Sequence, residues 1–250
     1  MPSNDIKGTT ALVTGASRGF GRGIAAALDG AGATVVGVAR EGAALDELRA
    51  ELGESFTPVC ADAADPTVAG QLIDAYRPGI LVLNAGAAPL SRPLQHHTWE
   101  TFSVNWDTDV KQAFHWRREA LLAPLAPGST VITMSSGAAL RGSPLSGGYA
   151  GSKATIRFIT SYAAAESERG GLGIRFISVL PQLTPATDLG AAAVAAYAAR
   201  EGMDVAAYRE RSGPALTPGQ AGEAFVALAS DPGQAAGSYL LTAAGLSPAP

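Results

Sequence analysis

Tyr149 and Lys153 stand four residues apart in Tyr149-Ala-Gly-Ser-Lys153, at the head of a stretch, Gly148–Arg169, that reads as one long helix. That spacing puts both side chains on one helical face. A free phenol, with a pKa near ~10, is a poor proton-transfer group at neutral pH, and a nearby ammonium lowers that value. The two residues are therefore a candidate proton donor and its tuner. The same spacing also fits an ordinary surface pair, so other residues must support the reading. Ser135-Ser136 closes a strand-like run, Thr130–Met134, at the carboxyl edge where open sheets hold ligands. Asn105 lies among Phe102, Val104 and Trp106 inside a helical stretch, Thr98–Leu122. A turn-capping hydroxyl and a satisfied buried amide are the plain alternatives for Ser136 and Asn105.

A second chemistry is written near the N-terminus. Directly after the apolar run Thr9–Thr14 comes Gly15-Ala16-Ser17-Arg18-Gly19-Phe20-Gly21. Gly15 permits a tight turn, and Gly19 and Gly21 allow the backbone to approach a pyrophosphate at the positive end of the following helix. A glycine-rich turn without a ligand is the plain alternative. In the first strand-to-helix turn of an alternating chain, the dinucleotide reading is preferred. An acid ending the next strand, Thr34–Ala39, would favour NAD through the ribose hydroxyls. Arg40 follows that strand instead, and Arg18 sits in the glycine turn. Two guanidiniums suit a 2′-phosphate, so NADP(H) is favoured over NAD(H), although Glu41 could offset Arg40.

Other classes are set aside. His96 and His97 are adjacent and so do not converge as i, i+4 ligands would, His115 is isolated, and no metal is expected. Cys60 is the single cysteine, which rules out an intrachain disulfide. A net charge of −4 recruits no phosphate backbone, so nucleic acid is not an expected partner. Charged residues make up 16%, below the usual ~25%, which gives an apolar, small-residue-rich chain. The longest uncharged interior run, Ala120–Leu140, carries Pro124, Pro127, Gly128 and five hydroxyls, and no membrane span is expected. The tail after Asp231 is broken by Pro232, Gly233 and Gly237, and MPSNDIKG holds no apolar signal core, so a cytoplasmic protein is expected.

The elements that must position these residues alternate. Strand-like runs are Thr9–Thr14, Thr34–Ala39, Thr57–Ala61, Ile80–Leu83, Thr130–Met134, Ile174–Leu180 and a last one at Ser238–Leu241. Helical stretches are Gly21–Leu28, Ala43–Leu52, a Pro66–Tyr76 helix capped by Asp65, Thr98–Leu122, Gly148–Arg169, Asp188–Arg211 and Gly219–Ala229. This is the pattern of an α/β fold: a single doubly wound, Rossmann-like parallel sheet with helices on both faces. No linker or second composition regime appears, so residues 1–250 read as one domain.

TGASRGFG, Leu83-Asn84-Ala85-Gly86, the surroundings of Asn105, MSSGAA and YAGSK, in this order, resemble the short-chain dehydrogenase/reductase family over nearly the whole chain. The resemblance implies an oxidoreductase that passes hydride between a nicotinamide and a carbonyl or alcohol. It implies roles for the positions that match. Tyr149 would be the acid/base, Lys153 would tune it and hold the nicotinamide ribose, Ser136 would bond the substrate carbonyl, and Asn105 would hold a relay water near Lys153. Asp62 and Ala63 would contact adenine, Asn84, Ala85 and Gly86 would line the adenine ribose, and Pro181 would pack by the nicotinamide. The chain departs from the family at Leu83, Gly79 and Gln182, where Asn, Asp and Gly are usual. With Gln182 in that place, Thr184 or Thr187 becomes the candidate carboxamide contact. A homodimer or homotetramer is implied, although the run Ser238–Pro250 is atypical.

The resemblance also implies a substrate pocket between residues 87–98, 137–147 and 183–211, with 184–215 as a lid. Leu90, Leu94, Leu140, Leu145, Leu183 and Leu189 outnumber Arg92, His96, His97 and Arg141 there. An uncharged ketone reduced with NADPH is the expected substrate. A non-catalytic NADP(H)-binding regulator on the same fold, or an isomerase or dehydratase with bound cofactor, are the rival readings. The intact Asn105, Ser136, Tyr149 and Lys153 weigh against the regulator.

Overall fold

The computed structural model describes residues 5–231, 233 and 237–250. Residues 1–4 and Pro232, on which the leader and tail readings partly rest, lie outside the described residues. Eight strands form one sheet: β1 (Thr10–Thr14), β2 (Thr34–Ala39), β3 (Phe56–Cys60), β4 (Ile80–Leu83), β5 (Thr130–Met134), β6 (Arg175–Pro181), β7 (Ser238–Thr242) and β8 (Gly245–Pro248). Their order is β3-β2-β1-β4-β5-β6-β7-β8, and every pairing is parallel except β7 with β8. The sheet is thus doubly wound about the border between β1 and β4, where successive crossovers leave in opposite directions. A cleft opens there at the carboxyl ends of the strands.

The ten helices among the described residues are α1 (Gly19–Gly30), α2 (Gly42–Leu52), α3 (Pro66–Tyr76), α4 (Trp99–Asn105), α5 (Lys111–Leu122), α6 (Ala138–Arg141), α7 (Tyr149–Arg169), α8 (Asp188–Arg200), α9 (Val205–Arg211) and α10 (Pro218–Ser230). One apolar cluster joins the sheet to α1, α2 and α10 through Ile24, Leu28, Leu45, Phe225 and Leu228. Another joins the opposite face to α3, α5 and α7 through Ile73, Trp116 and Ala163. Central strands covered on both sides need unbroken apolar runs, as β2 and β4 have. No helix among the described residues is long and apolar enough to cross a membrane.

Local chemistry sets several boundaries. Asp65 accepts from Thr67 N–H at 2.8 Å with Pro66 in the first turn, so α3 starts where its cap dictates. Reciprocal Thr–Gln and Thr–Thr capping boxes start α10 and α4. Gly37 interrupts β2 because a Cβ there would lie 2.3 Å from the Phe56 ring. Gly79 is explained likewise, by Thr9 Cγ2 at 2.7 Å, and Leu83 is buried in the core.

Four expectations are corrected. The sheet does not end at Ser238–Leu241, since antiparallel β8 follows and forms its edge. Asp188–Arg211 is two helices, because Gly202 turns the chain at a φ of 64° between α8 and α9. The stretch Thr98–Leu122 contains a π-helical turn, Trp106–Val110, between α4 and α5. The short helix α6 lies in the loop after β5, where the sequence reading placed none.

Candidate active site

The cleft at the β1–β4 border is lined by Gly15, Ser17, Arg18, Gly19 and Phe20 from the first turn, and by Arg40 from the end of β2. Asp62 and Ala63 follow β3, Asn84, Ala85 and Gly86 follow β4, and Tyr149, Lys153 and Pro181 complete the set from α7 and β6. Most sequence-predicted positions are therefore brought together in one place.

The glycine turn is built for close approach. Gly15 and Gly19 have φ of 68° and 53°, a region that costs an L side chain energy. A Cβ on Gly15 would lie 2.8 Å from Ala85 Cα. Gly21 has a different part from the one expected. A Cβ there would stand 2.0 Å from Gly15 O, so Gly21 packs α1 onto the turn and does not line the cleft. Arg18, the residue just before α1, supplies no side-chain cap, and the first turn of that helix holds no acid. Its leading N–H groups and positive end thus suit an anion such as a pyrophosphate. Arg18 and Arg40 are exposed at this end, and neither guanidinium is in an ion pair with another described residue. Asp62 Oδ1 accepts from Ala64 N–H at 2.9 Å, which shapes the turn after β3.

The Asn84 turn rests on two residues that sequence reasoning missed. Asn84 N–H and Ala85 N–H both donate to Thr14 Oγ1, at 2.9 and 3.1 Å. That hydroxyl donates in turn to Gln112 Oε1 at 2.6 Å, and Gln112 Nε2 donates to Ala85 O at 2.9 Å. Asn84 Nδ2 closes the circuit on Thr14 O and Gly15 O. Trp116, fully buried, donates from its indole to Ala63 O at 2.9 Å and fixes the neighbouring loop.

At the other end of the cleft, Lys153 Nζ lies 5.5 Å from the Tyr149 ring centroid. Its side chain is 5% exposed, and Nζ pairs with Asp109 Oδ2 at 3.1 Å. Nζ also donates to Met134 O at 3.1 Å, which leaves it capacity to donate to a ligand in the cleft. Burial alone would push the Lys153 pKa down, but the charges of Asp109 and Tyr149 outweigh it and the value is raised. Ser135 is buried and donates to Lys153 O at 2.8 Å, which anchors α7 to the end of β5. Ser136 is half-buried and only accepts, from Ala138 N–H at 3.2 Å, so its own proton remains for another acceptor.

The Asn105 and Thr184 side chains are each held by a backbone oxygen. Asn105 Nδ2 donates to Ala87 O at 2.7 Å, and Asp109, one turn further on, is the group at Lys153. Thr184 is buried with its hydroxyl donating to Leu216 O at 2.8 Å, whereas Thr187, Asp188 and Leu189 line the cleft. Gln182 reaches Pro214 O with its amide at 2.9 Å and so ties down the loop beyond α9. The signal for Asp109 was its place four residues after Asn105 on one helical stretch. Thr14 and Gln112 carried no comparable sign. Among the described residues, no group of three or more His, Cys, Asp or Glu could hold a metal ion.

A sequence model described as short chain dehydrogenase matches residues 9–198. L-xylulose reductase of Bos taurus is 33% identical over 183 residues, 72% of this chain and 74% of that protein. D-erythrulose reductase of Gallus gallus is 30% identical over 192 residues, 76% of each. The crystal structure of 3-ketoacyl-(acyl-carrier-protein) reductase from Brucella melitensis complexed with NADH superposes with a TM-score of 0.77 at 23% identity, covering 95% of this chain and 97% of that one.

Proposed function

The chain belongs to the short-chain dehydrogenase family, and from that premise we propose that it is an NADP(H)-dependent carbonyl reductase acting on uncharged ketones. The observation that carries the reading is the placement of Tyr149 and Lys153 in the same cleft as an uncapped, glycine-built helix start. When bound, NADPH supplies a hydride to the carbonyl carbon. Tyr149 gives its phenolic proton to the carbonyl oxygen. The Lys153 ammonium stabilises the phenolate left behind, and its remaining N–H is placed for the nicotinamide ribose. Ser136 donates to the same carbonyl oxygen, orienting it and stabilising the negative charge that develops there.

Arg40 and Arg18 are the proposed clamp on the 2′-phosphate. Arg40→Ala is expected to weaken NADPH binding at least about tenfold, given the strength of charged hydrogen bonds, and to leave NADH nearly untouched. Fluorescence titration with both cofactors measures this, and equal losses would remove Arg40 from the phosphate site.

Leu90, Leu94, Leu183 and Leu189 are exposed in the segments assigned to the substrate pocket, which supports an uncharged substrate. The names of two relatives, L-xylulose reductase and D-erythrulose reductase, support a hydroxylated ketone such as a ketose as that substrate. Residues 184–215, carrying α8 and α9, are the proposed lid, and the start of α8 at Thr187–Leu189 stands at the cleft rim. A substrate panel in which small anionic keto acids outcompete neutral hydroxyketones would overturn this assignment.

The protein is also proposed to be a homodimer or homotetramer. Phe114 and Leu122 on α5, and Phe158 and Tyr162 on α7, are between 53% and 63% exposed, more apolar surface than a monomer needs to show. Light scattering coupled to size exclusion should give at least a dimer mass, and charged substitutions at Phe158 and Tyr162 should yield monomers.

A further inference from the structure

We propose that Asp109 is a positioning residue of this site: its carboxylate fixes the Lys153 ammonium at the cleft wall and keeps that nitrogen charged while it is buried. The proposal rests on the reading of Tyr149 and Lys153 as the proton-transfer pair. Asp109 sits in the π-helical turn Trp106–Val110, and its side chain is 1% exposed. Its oxygens divide the work. Oδ1 accepts from Ala87 N–H at 2.8 Å and faces Asn105 Nδ2 at 3.5 Å, while Oδ2 faces Lys153 Nζ at 3.1 Å. Gly86 leaves the space this requires, since a Cβ there would lie 2.9 Å from Oδ2. The carboxylate cannot swing from Nζ without giving up the Ala87 N–H. It therefore links the turn after β4 to the lysine on α7.

The electrostatics give this geometry a purpose. A buried ammonium without a counter-charge loses its proton easily, because burial penalises the charged form. At Lys153 burial acts in that direction, and Asp109 and Tyr149 oppose it successfully. The other charged groups on neighbouring elements are engaged elsewhere or lie at the surface. Asp107, on the same turn, accepts from Ser103 Oγ at 3.1 Å. Arg117 on α5 bonds Ala113 O, Thr133 and Thr160. Glu100 on α4 and Arg141 on α6 are exposed. Asp109 is thus the carboxylate that can hold Lys153 charged at the pH where a lone buried amine would be neutral.

The chain has three lysines, Lys7, Lys111 and Lys153, so each side chain can be followed by NMR in carbon-13-labelled, cofactor-free protein. In the wild type, Lys153 should titrate above the ordinary lysine value. Asp109→Asn keeps the acceptor for Ala87 N–H and removes only the charge. It should lower the Lys153 titration by at least about one pH unit and leave Lys7 and Lys111 in place. A shift confined to Lys153, with the other two lysines unmoved, is a change that a purely structural role would not produce. An unchanged Lys153 titration in Asp109→Asn would overturn the proposal. So would a wild-type Lys153 that titrates at or below the ordinary value, and this second result decides the matter even if the variant does not fold. Titrations that behave as expected in a protein that reduces no ketone would keep Asp109 as the counter-charge and refute the reading of Tyr149 and Lys153 instead.

Discussion

Tyr149→Phe is expected to cut ketone reduction by about a hundred- to ten-thousandfold while NADPH still binds. The substitution removes one oxygen and keeps the ring beside which Lys153 Nζ stands at 5.5 Å. The hydrogen bonds that hold this turn of α7 are made by other groups. Ser152 Oγ donates to the backbone oxygen of Tyr149, and Ser135 Oγ donates to that of Lys153. The fold and the glycine turn therefore have no reason to change, and the loss should fall on kcat. Steady-state kinetics beside a cofactor titration separates the two effects. Near-normal turnover in the variant would remove Tyr149 from the chemistry.

Lys153→Met should be damaging in two ways. Activity falls because nothing then stabilises the phenolate or reaches the ribose. Stability falls because Asp109 is left buried without its cation, a change that costs about 3 kcal/mol or more when one partner of a buried pair is removed. The pH dependence follows from the raised Lys153 value. A group with a raised folded value contributes fully below its unfolded value, ~10.4 for lysine, and the contribution disappears as pH rises through the folded one. The gap between wild type and Lys153→Met should thus persist across neutral pH and narrow under strongly alkaline conditions. Adding Asp109→Asn to Lys153→Met should restore much of the stability and none of the activity. Urea unfolding of wild type, the two single variants and the double variant provides the measurement, and a Lys153→Met variant as stable as wild type would mean that the pair carries no structural weight.

The parts of this molecule that could be read from sequence are those governed by local rules. β2, β4 and β5 are buried on both sides, and their uncharged runs, rich in β-branched and other apolar residues, mark them to the residue. Asp65-Pro66 marks the start of α3 because a cap and a fixed φ act within a few residues. β8 escaped notice because Gly245–Pro248 is short, largely exposed and ends in proline, with nothing but pairing to β7 to define it. The π-helical turn escaped for a related reason: one added residue per turn leaves hardly any trace in the apolar period.

The site divides in the same way. Type and spacing alone point to Gly15, Arg40, Tyr149 and Lys153, and all four line the cleft. Thr14, Gln112 and Asp109 act through partners distant in sequence, and their roles emerge only when the sheet brings β1, β4 and α7 together. Asn105 and Asp109 share one helical stretch, and only the folded structure shows that Asp109, one turn later, faces Lys153.

The most direct measurement follows a deuterium label on the transferable position of NADPH during reduction of a neutral hydroxyketone by the wild-type protein. Deuterium should appear on the carbinol carbon of the alcohol, one per NADPH consumed. A folded protein that binds NADPH yet yields no labelled alcohol from any ketone offered would contradict the assignment of Tyr149 and Lys153 to carbonyl reduction.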